Sequence, residues 1–404
     1  MRTVRPLITG LGVVAPTGVG VAEHWAATLE GRCGLRPIVV DDAAGPPFPV
    51  AGRVPDFDVD AYVPRRLKVQ TDRWTWMALA ATRMALDDAG LDPSRHDPYA
   101  LAVVTASGSG GNEFGQREIQ ALYSTGAQAV SAYQSIGWFY AASTGRLSIL
   151  HQLKGPCGVI MADGAGGLDA AAQACRLIRR GTAAVVVGGT EAPLSPYALV
   201  CQAGRPGSST EPDPGSAYRP FDRRACGDVP GEGGAMLILE DPARVSPRDA
   251  YAELAGASST HDAHSTFGPP RDHRQLARAM REAIARADCT PQDVDVVFAD
   301  GAGDPWRDEL EAAAIGQVFE GASVPVTVPK TMTGRLCSGG AALDLVWAAL
   351  ALRHDTIPPT VNVEPGHDLD VVTRPRRGTG LRTALVVARG TGGFNSAAVL
   401  RRVV

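Results

Sequence analysis

The chain reads as an α/β fold built from two similar halves. Three observations predict it. Strand-length apolar runs alternate with helix-length periodic segments. The same order of elements occurs twice, about 190 residues apart. Gly-rich turns fall at the same place in each copy.

In the first half, residues 74–89 have helical periodicity and stop at Gly90. The apolar run 101–104 follows, then the small-residue turn 107–111. In the second half, residues 274–287 are helix-like and stop near Asp288-Cys289-Thr290-Pro291. The apolar run 294–298 and the turn Asp300-Gly301-Ala302-Gly303 follow. The echo continues. Small residues open a helix at 165–171, which runs to Arg180, and another at 339–345, which runs to Arg353 and His354. Basic residues at each exit complement the C-terminal dipole. Strands alternating with helices imply βαβ units and a largely parallel sheet. Continuous apolar runs such as 183–187 imply burial on both faces. Two such halves imply a pseudo-twofold pair of sheets. The boundary is expected at 247/248, giving halves 1–247 and 248–404, because Pro242 and Ser246-Pro247-Arg248-Asp249 break the periodicity there.

Composition narrows the function. The chain has 404 residues, 45% of them hydrophobic, enough for a large core. A net charge of −4 points to neither nucleic acid nor an anionic membrane as partner. The N-terminal residues lack a signal-peptide h-region, and no apolar run is long enough to span a bilayer. Seven cysteines without a C-x-x-C read as reduced thiols, which fits a cytoplasmic protein. The eight histidines show no metal-binding spacing, so no metal is expected.

Several motifs carry a family resemblance over essentially the whole chain. They are Ile8-Thr9-Gly10-Leu11-Gly12-Val13-Val14, Arg219-Pro220-Phe221-Asp222 with Gly231-Glu232-Gly233-Gly234-Ala235, Lys330-Thr331-Met332-Thr333-Gly334, and Gly390-Thr391-Gly392-Gly393-Phe394-Asn395. Together they resemble the thiolase-fold β-ketoacyl synthases, and the resemblance implies a duplicated five-layer αβαβα structure. An active condensing enzyme needs a cysteine thiolate at a helix N-terminus and two histidines that stabilise the carbanion formed by decarboxylation. Here the nucleophile position falls on Gly164, in Met161-Ala162-Asp163-Gly164-Ala165-Gly166-Gly167. The histidine positions fall on Asp300 and Arg335, and the gating phenylalanine is Thr391. Cys157 and Cys337 lie nearby in sequence, but neither is expected at a helix entry. Asp300 and Arg335 are expected to form a structural ion pair, since arginine cannot act as a base.

Loss of all three chemical positions resembles the chain-length factor of type II polyketide synthases, although that subfamily usually carries glutamine where Gly164 stands. The resemblance implies a heterodimer with a catalytic ketosynthase, substrates presented on phosphopantetheinyl acyl carrier protein, and no cofactor of the chain's own. It implies that Asn112, Gly115 and Ile119, on one helical face, line the tunnel for the growing polyketide chain. It places Trp138, Phe139 and Tyr140 at the subunit interface. Two rival readings stay open: a stand-alone acyltransferase with a relocated nucleophile, and a non-catalytic homodimeric scaffold.

Overall fold

The computed structural model describes residues 4–38, 47–264 and 270–403. Ten strands carry the duplication. The first half supplies β1 (Leu7–Ala15), β2 (Leu101–Ala106), β3 (Cys157–Ile160), β4 (Ala184–Glu191) and β5 (Gly233–Glu240). The second supplies β6 (Ala252–His261), β7 (Val296–Phe298), β8 (Pro325–Thr327), β9 (Thr383–Gly390) and β10 (Phe394–Arg401). The spatial order is β3-β2-β4-β5-β1 in one half and β8-β7-β9-β10-β6 in the other, the same permutation twice. Within each half, the last strand runs antiparallel to the other four. The sequence reading expects a pair of sheets, but hydrogen bonds join them. The edge strands β1 and β6 pair at Leu7 with Glu253 and at Ile8 with Ala252. This satisfies backbone groups that two free edges would leave open.

Seven helices complete the layers: α1 (Arg73–Ala89), α2 (Asn112–Ser124), α3 (Ala142–His151), α4 (Gly166–Arg179), α5 (Arg274–Arg286), α6 (Pro305–Val318) and α7 (Ser338–His354). Outer helices α1 and α3 cover the first sheet through Met77, Leu79 and Leu147 against Val186 and Ile238. Helices α5 and α6 cover the second through Met280 and Ile315 against Val297 and Val387. Between the sheets lie α4 and α7. Leu168, Val346 and Leu350 meet Val104 and Val187 on one side and Phe298 and Val386 on the other. The result is five layers. Strand β4 sends Val185 and Val187 to the central core and Ala184 and Val186 to the outer one, so its apolar run is continuous. Helix α7 is apolar around its circumference because it is wrapped on all sides.

The halves differ where the functional elements sit. In the second half, β7 reaches α6 through the short loop 299–304. In the first, α2 and the segment up to Ala141 are inserted between β2 and α3. Asp72 fixes this insertion. Its side chain caps α1 at the Trp74 N–H and accepts a 2.6 Å bond from the Phe114 N–H.

Candidate functional site

Gly164 stands in the turn Asp163–Ala165 that leads into α4, a position where the helix dipole would favour a thiolate. The space a side chain would need is taken. A Cβ built on Gly164 lies 2.4 Å from the Arg389 carbonyl oxygen and 3.5 Å from Arg335 Nη2. The loop carrying that carbonyl is held from two sides. The Thr391 N–H donates to Asp163 Oδ2 (2.7 Å), and the Arg389 N–H donates to Asp300 Oδ1 (3.0 Å). The position is therefore closed as well as lacking a nucleophile.

Asp300 and Arg335 meet beside it. Arg335 Nη2 lies 3.0 Å from Asp300 Oδ1, and its Nη1 donates to the Asp300 carbonyl at 3.1 Å. A second carboxylate, Asp228, lies 3.6 Å from Arg335 Nε. Burial alone would raise the Asp300 carboxyl, but Arg335 and Lys330 hold it down at about 2. Arg335 is pushed further above its ordinary value, against its burial, by Asp300, Tyr218 and Asp228. Both members stay charged at neutral pH, so neither exchanges a proton with a substrate.

Helix α6 supplies carboxyls that sequence reasoning did not single out. Glu311 accepts the N–H groups of Asp300 and Gly301, each at 2.8 Å. Asp308 accepts those of Phe221 (2.9 Å) and Gly303 (3.1 Å). Burial, with the Asp300 charge, raises Glu311 to about 7. Burial, with the Glu311 charge, raises Asp308 to about 8. A value near 7 suits a general base, yet both Glu311 oxygens are occupied by the backbone they anchor. The i, i+3 spacing of two acids on an otherwise apolar face was the available signal. Across the site, Glu191 accepts from Gly108 and Ser109 and is raised to about 8 by burial.

Cys337 requires a correction. It immediately precedes α7, at the N-cap, with φ 46° and ψ −130°. It therefore does sit at a helix entry, contrary to the sequence expectation. Its thiol is not activated, because burial and the nearby Glu191 and Asp163 raise its pKa strongly. Lys330 is buried 2.8 Å from Asp344 and donates to the Ala299 carbonyl (3.2 Å).

A cavity of about 100 Å³ joins Gly164, Asp300, Arg335, Thr391, Lys330 and Cys337. It does not include Asn112, Gly115 or Ile119. These lie on α2, where Asn112 Nδ2 donates to the Ser109 carbonyl (3.1 Å) and Ile119 is exposed. Trp138 and Phe139 are also exposed, and Tyr140 is half-buried. Of the fifteen large hydrophobics exposed among the described residues, twelve fall between residues 119 and 200. Scattered apolar residues are ordinary on a surface, whereas these are concentrated in the stretch that holds α2, α3 and the segment between them. It adjoins β3, the outermost strand of its sheet.

A duplicated five-layer scaffold with Gly164, Asp300 and Arg335 gathered at one site has the thiolase-like fold of the condensing enzymes. The chain belongs to the beta-ketoacyl synthase family. The model of its N-terminal domain matches residues 5–244, and that of its C-terminal domain matches residues 251–364. The chain is 51% identical to the tetracenomycin polyketide synthase ketoacyl synthase beta subunit of Streptomyces glaucescens, over 98% of each chain. It is 50% identical to the actinorhodin polyketide putative beta-ketoacyl synthase 2 of Streptomyces coelicolor, again over 98% of each. Among solved structures, it is similar to the ishigamide ketosynthase/chain length factor, with TM-score 0.90 and 27% identity over 99% of both chains. It is also similar to one chain of a solved complex of a type II polyketide synthase acyl-carrier protein with its ketosynthase bound to the hexaketide. There the TM-score is 0.89 and the identity 27%, over 100% of both chains. No helix among the described residues is long and apolar enough to cross a membrane.

Proposed function

We propose that this chain is a chain-length factor. It pairs with a catalytic ketosynthase, forms part of the elongation tunnel and sets the number of malonyl extensions in type II polyketide biosynthesis. The observation that carries the reading is the closed, charge-locked site around Gly164, Asp300 and Arg335, on a scaffold about half identical to ketosynthase beta subunits. The partner supplies the cysteine and histidines, and acyl carrier protein brings the units on its phosphopantetheine arm. The exposed face with Trp138, Phe139 and Tyr140 meets the partner, and β3 offers a free sheet edge beside it. Asn112, Gly115 and Ile119 border the growing chain. The halves divide at 247/248, and the complex works in the cytoplasm.

Gly115→Phe tests the reading, assayed with the partner ketosynthase and carrier protein. Only Trp138 Cβ lies within 4 Å of a Cβ at this position, so the substitution folds while adding bulk to the proposed wall. Products shift toward fewer extensions while total condensation persists. An overpacking penalty of about 1–3 kcal/mol felt only by the long chain favours early release roughly tenfold per 1.4 kcal/mol. An unchanged product distribution at unchanged rate would sink the tunnel assignment.

A further inference from the structure

The segment Gly137–Tyr140 crosses the first turn of α2 at backbone contact. The Gly111 N–H donates to the Trp138 carbonyl at 3.1 Å. A Cβ on Gly111 would fall 2.1 Å from the Gly137 carbonyl oxygen and 2.7 Å from Trp138 Cα. One on Gly137 would fall 2.9 Å from the Phe114 ring. The two glycines thus permit an approach that no other residue type permits. With the backbone pinned, the Trp138 side chain departs beside Gly115. A Cβ on Gly115 would lie 3.8 Å from Trp138 Cβ, with no other contact within 4 Å. The indole packs edge-on with Phe139 and Tyr140, at centroid distances of 6.4 and 6.3 Å, and remains 44% exposed.

We propose that Trp138 is a chain-length determinant, and more than an interface anchor: its side chain leaves the backbone beside Gly115, with its Cβ 3.8 Å from where a Cβ on Gly115 would stand. The proposal rests on the reading of the Asn112, Gly115 and Ile119 face as tunnel wall. On that reading, the small residues at 112 and 115 do not by themselves leave a wide bore. The bulk comes from a neighbouring segment, and residues 115 and 138 set the depth jointly. The two are therefore coupled in their effect on chain length.

The test uses the full heterodimer with carrier protein and reads product length and subunit stoichiometry. Trp138→Ala shifts the products toward additional extensions, with the ratio of longer to wild-type product rising tenfold or more. Trp138→Leu shifts it less. Adding Gly115→Phe to Trp138→Ala returns the distribution toward wild type. An intact 1:1 complex with Trp138→Ala and unchanged products overturns the proposal. If Gly115→Phe alone does shift products, the tunnel reading survives that failure. If neither does, both fall. Should Trp138→Ala abolish the complex, Trp138→Leu decides, because it keeps an apolar contact. Unchanged products from an intact Leu complex likewise overturn the proposal.

Discussion

Gly164→Ala adds one methyl group in the turn that leads into α4. Its Cβ would stand 2.4 Å from the Arg389 carbonyl oxygen, whereas real Cβ contacts essentially never fall below 3.0 Å. The carbonyl must therefore retreat by about 0.6 Å. Its neighbours resist, because the Arg389 N–H is bonded to Asp300 and the Thr391 N–H to Asp163. Overpacking of this kind costs about 1–3 kcal/mol. The lower entropy of alanine in the unfolded chain offsets about 0.4–1 kcal/mol. A net loss of about 1.3 kcal/mol at the middle of these ranges follows, read as a lower urea midpoint for the heterodimer at fixed protein concentration. Gly316→Ala is the control. It lies on α6 with nothing within 4 Å of its added Cβ, and gains roughly 0.5–1 kcal/mol instead. By the same geometry, Gly164→Cys yields a thiol that acyl and malonyl carrier protein do not acylate. Gly164→Ala as stable as wild type, or a Gly164→Cys variant that forms an acyl adduct, would refute the reasoning.

Two further outcomes follow from the charges around the site. Arg335→Met strands the buried Asp300 carboxylate and lowers stability by about 3–5 kcal/mol. Adding Asp300→Asn recovers a large part of it in denaturant unfolding, and a double variant as unstable as the single one argues against a paired role. The second outcome concerns pH. Burial raises Glu191 and Asp308 to about 8 and Glu311 to about 7. Each holds its proton more tightly in the folded chain than in the unfolded one. Stability therefore rises as pH falls from about 8 toward neutrality. Below 6.5 the buried His24, lowered to about 3 by desolvation, begins to oppose the trend. Asp300, held at about 2, withdraws its contribution only in strong acid. The thermal midpoint at pH 7 should exceed that at pH 8.5, and the reverse order would contradict this account.

Much of the architecture is legible in local patterns. Apolar runs buried on both faces, the glycine stop at Gly90 and the twice-repeated order of elements signal the duplicated fold through periodicities that are local in sequence. The absence of a nucleophile is legible too, since Gly164 has no side chain whatever the fold does. The positive φ of 46° at Cys337, the residue that caps α7, was not, because sequence pattern places a helix start only to within a few residues.

The sequence by itself determined that the halves repeat, that position 164 carries no side chain, and that an aromatic run precedes α3. Only the tertiary structure decided that the Arg389 carbonyl fills the space beside Gly164. It also decided that α6 carboxyls anchor the Asp300 loop, and that Trp138 Cβ stands beside Gly115. The physical reason is range. Propensity and periodicity are written in neighbouring residues. A carbonyl 225 positions away, a carboxyl across a loop, or a tryptophan Cβ set beside a glycine of another segment is placed by packing, and packing density tolerates only one arrangement.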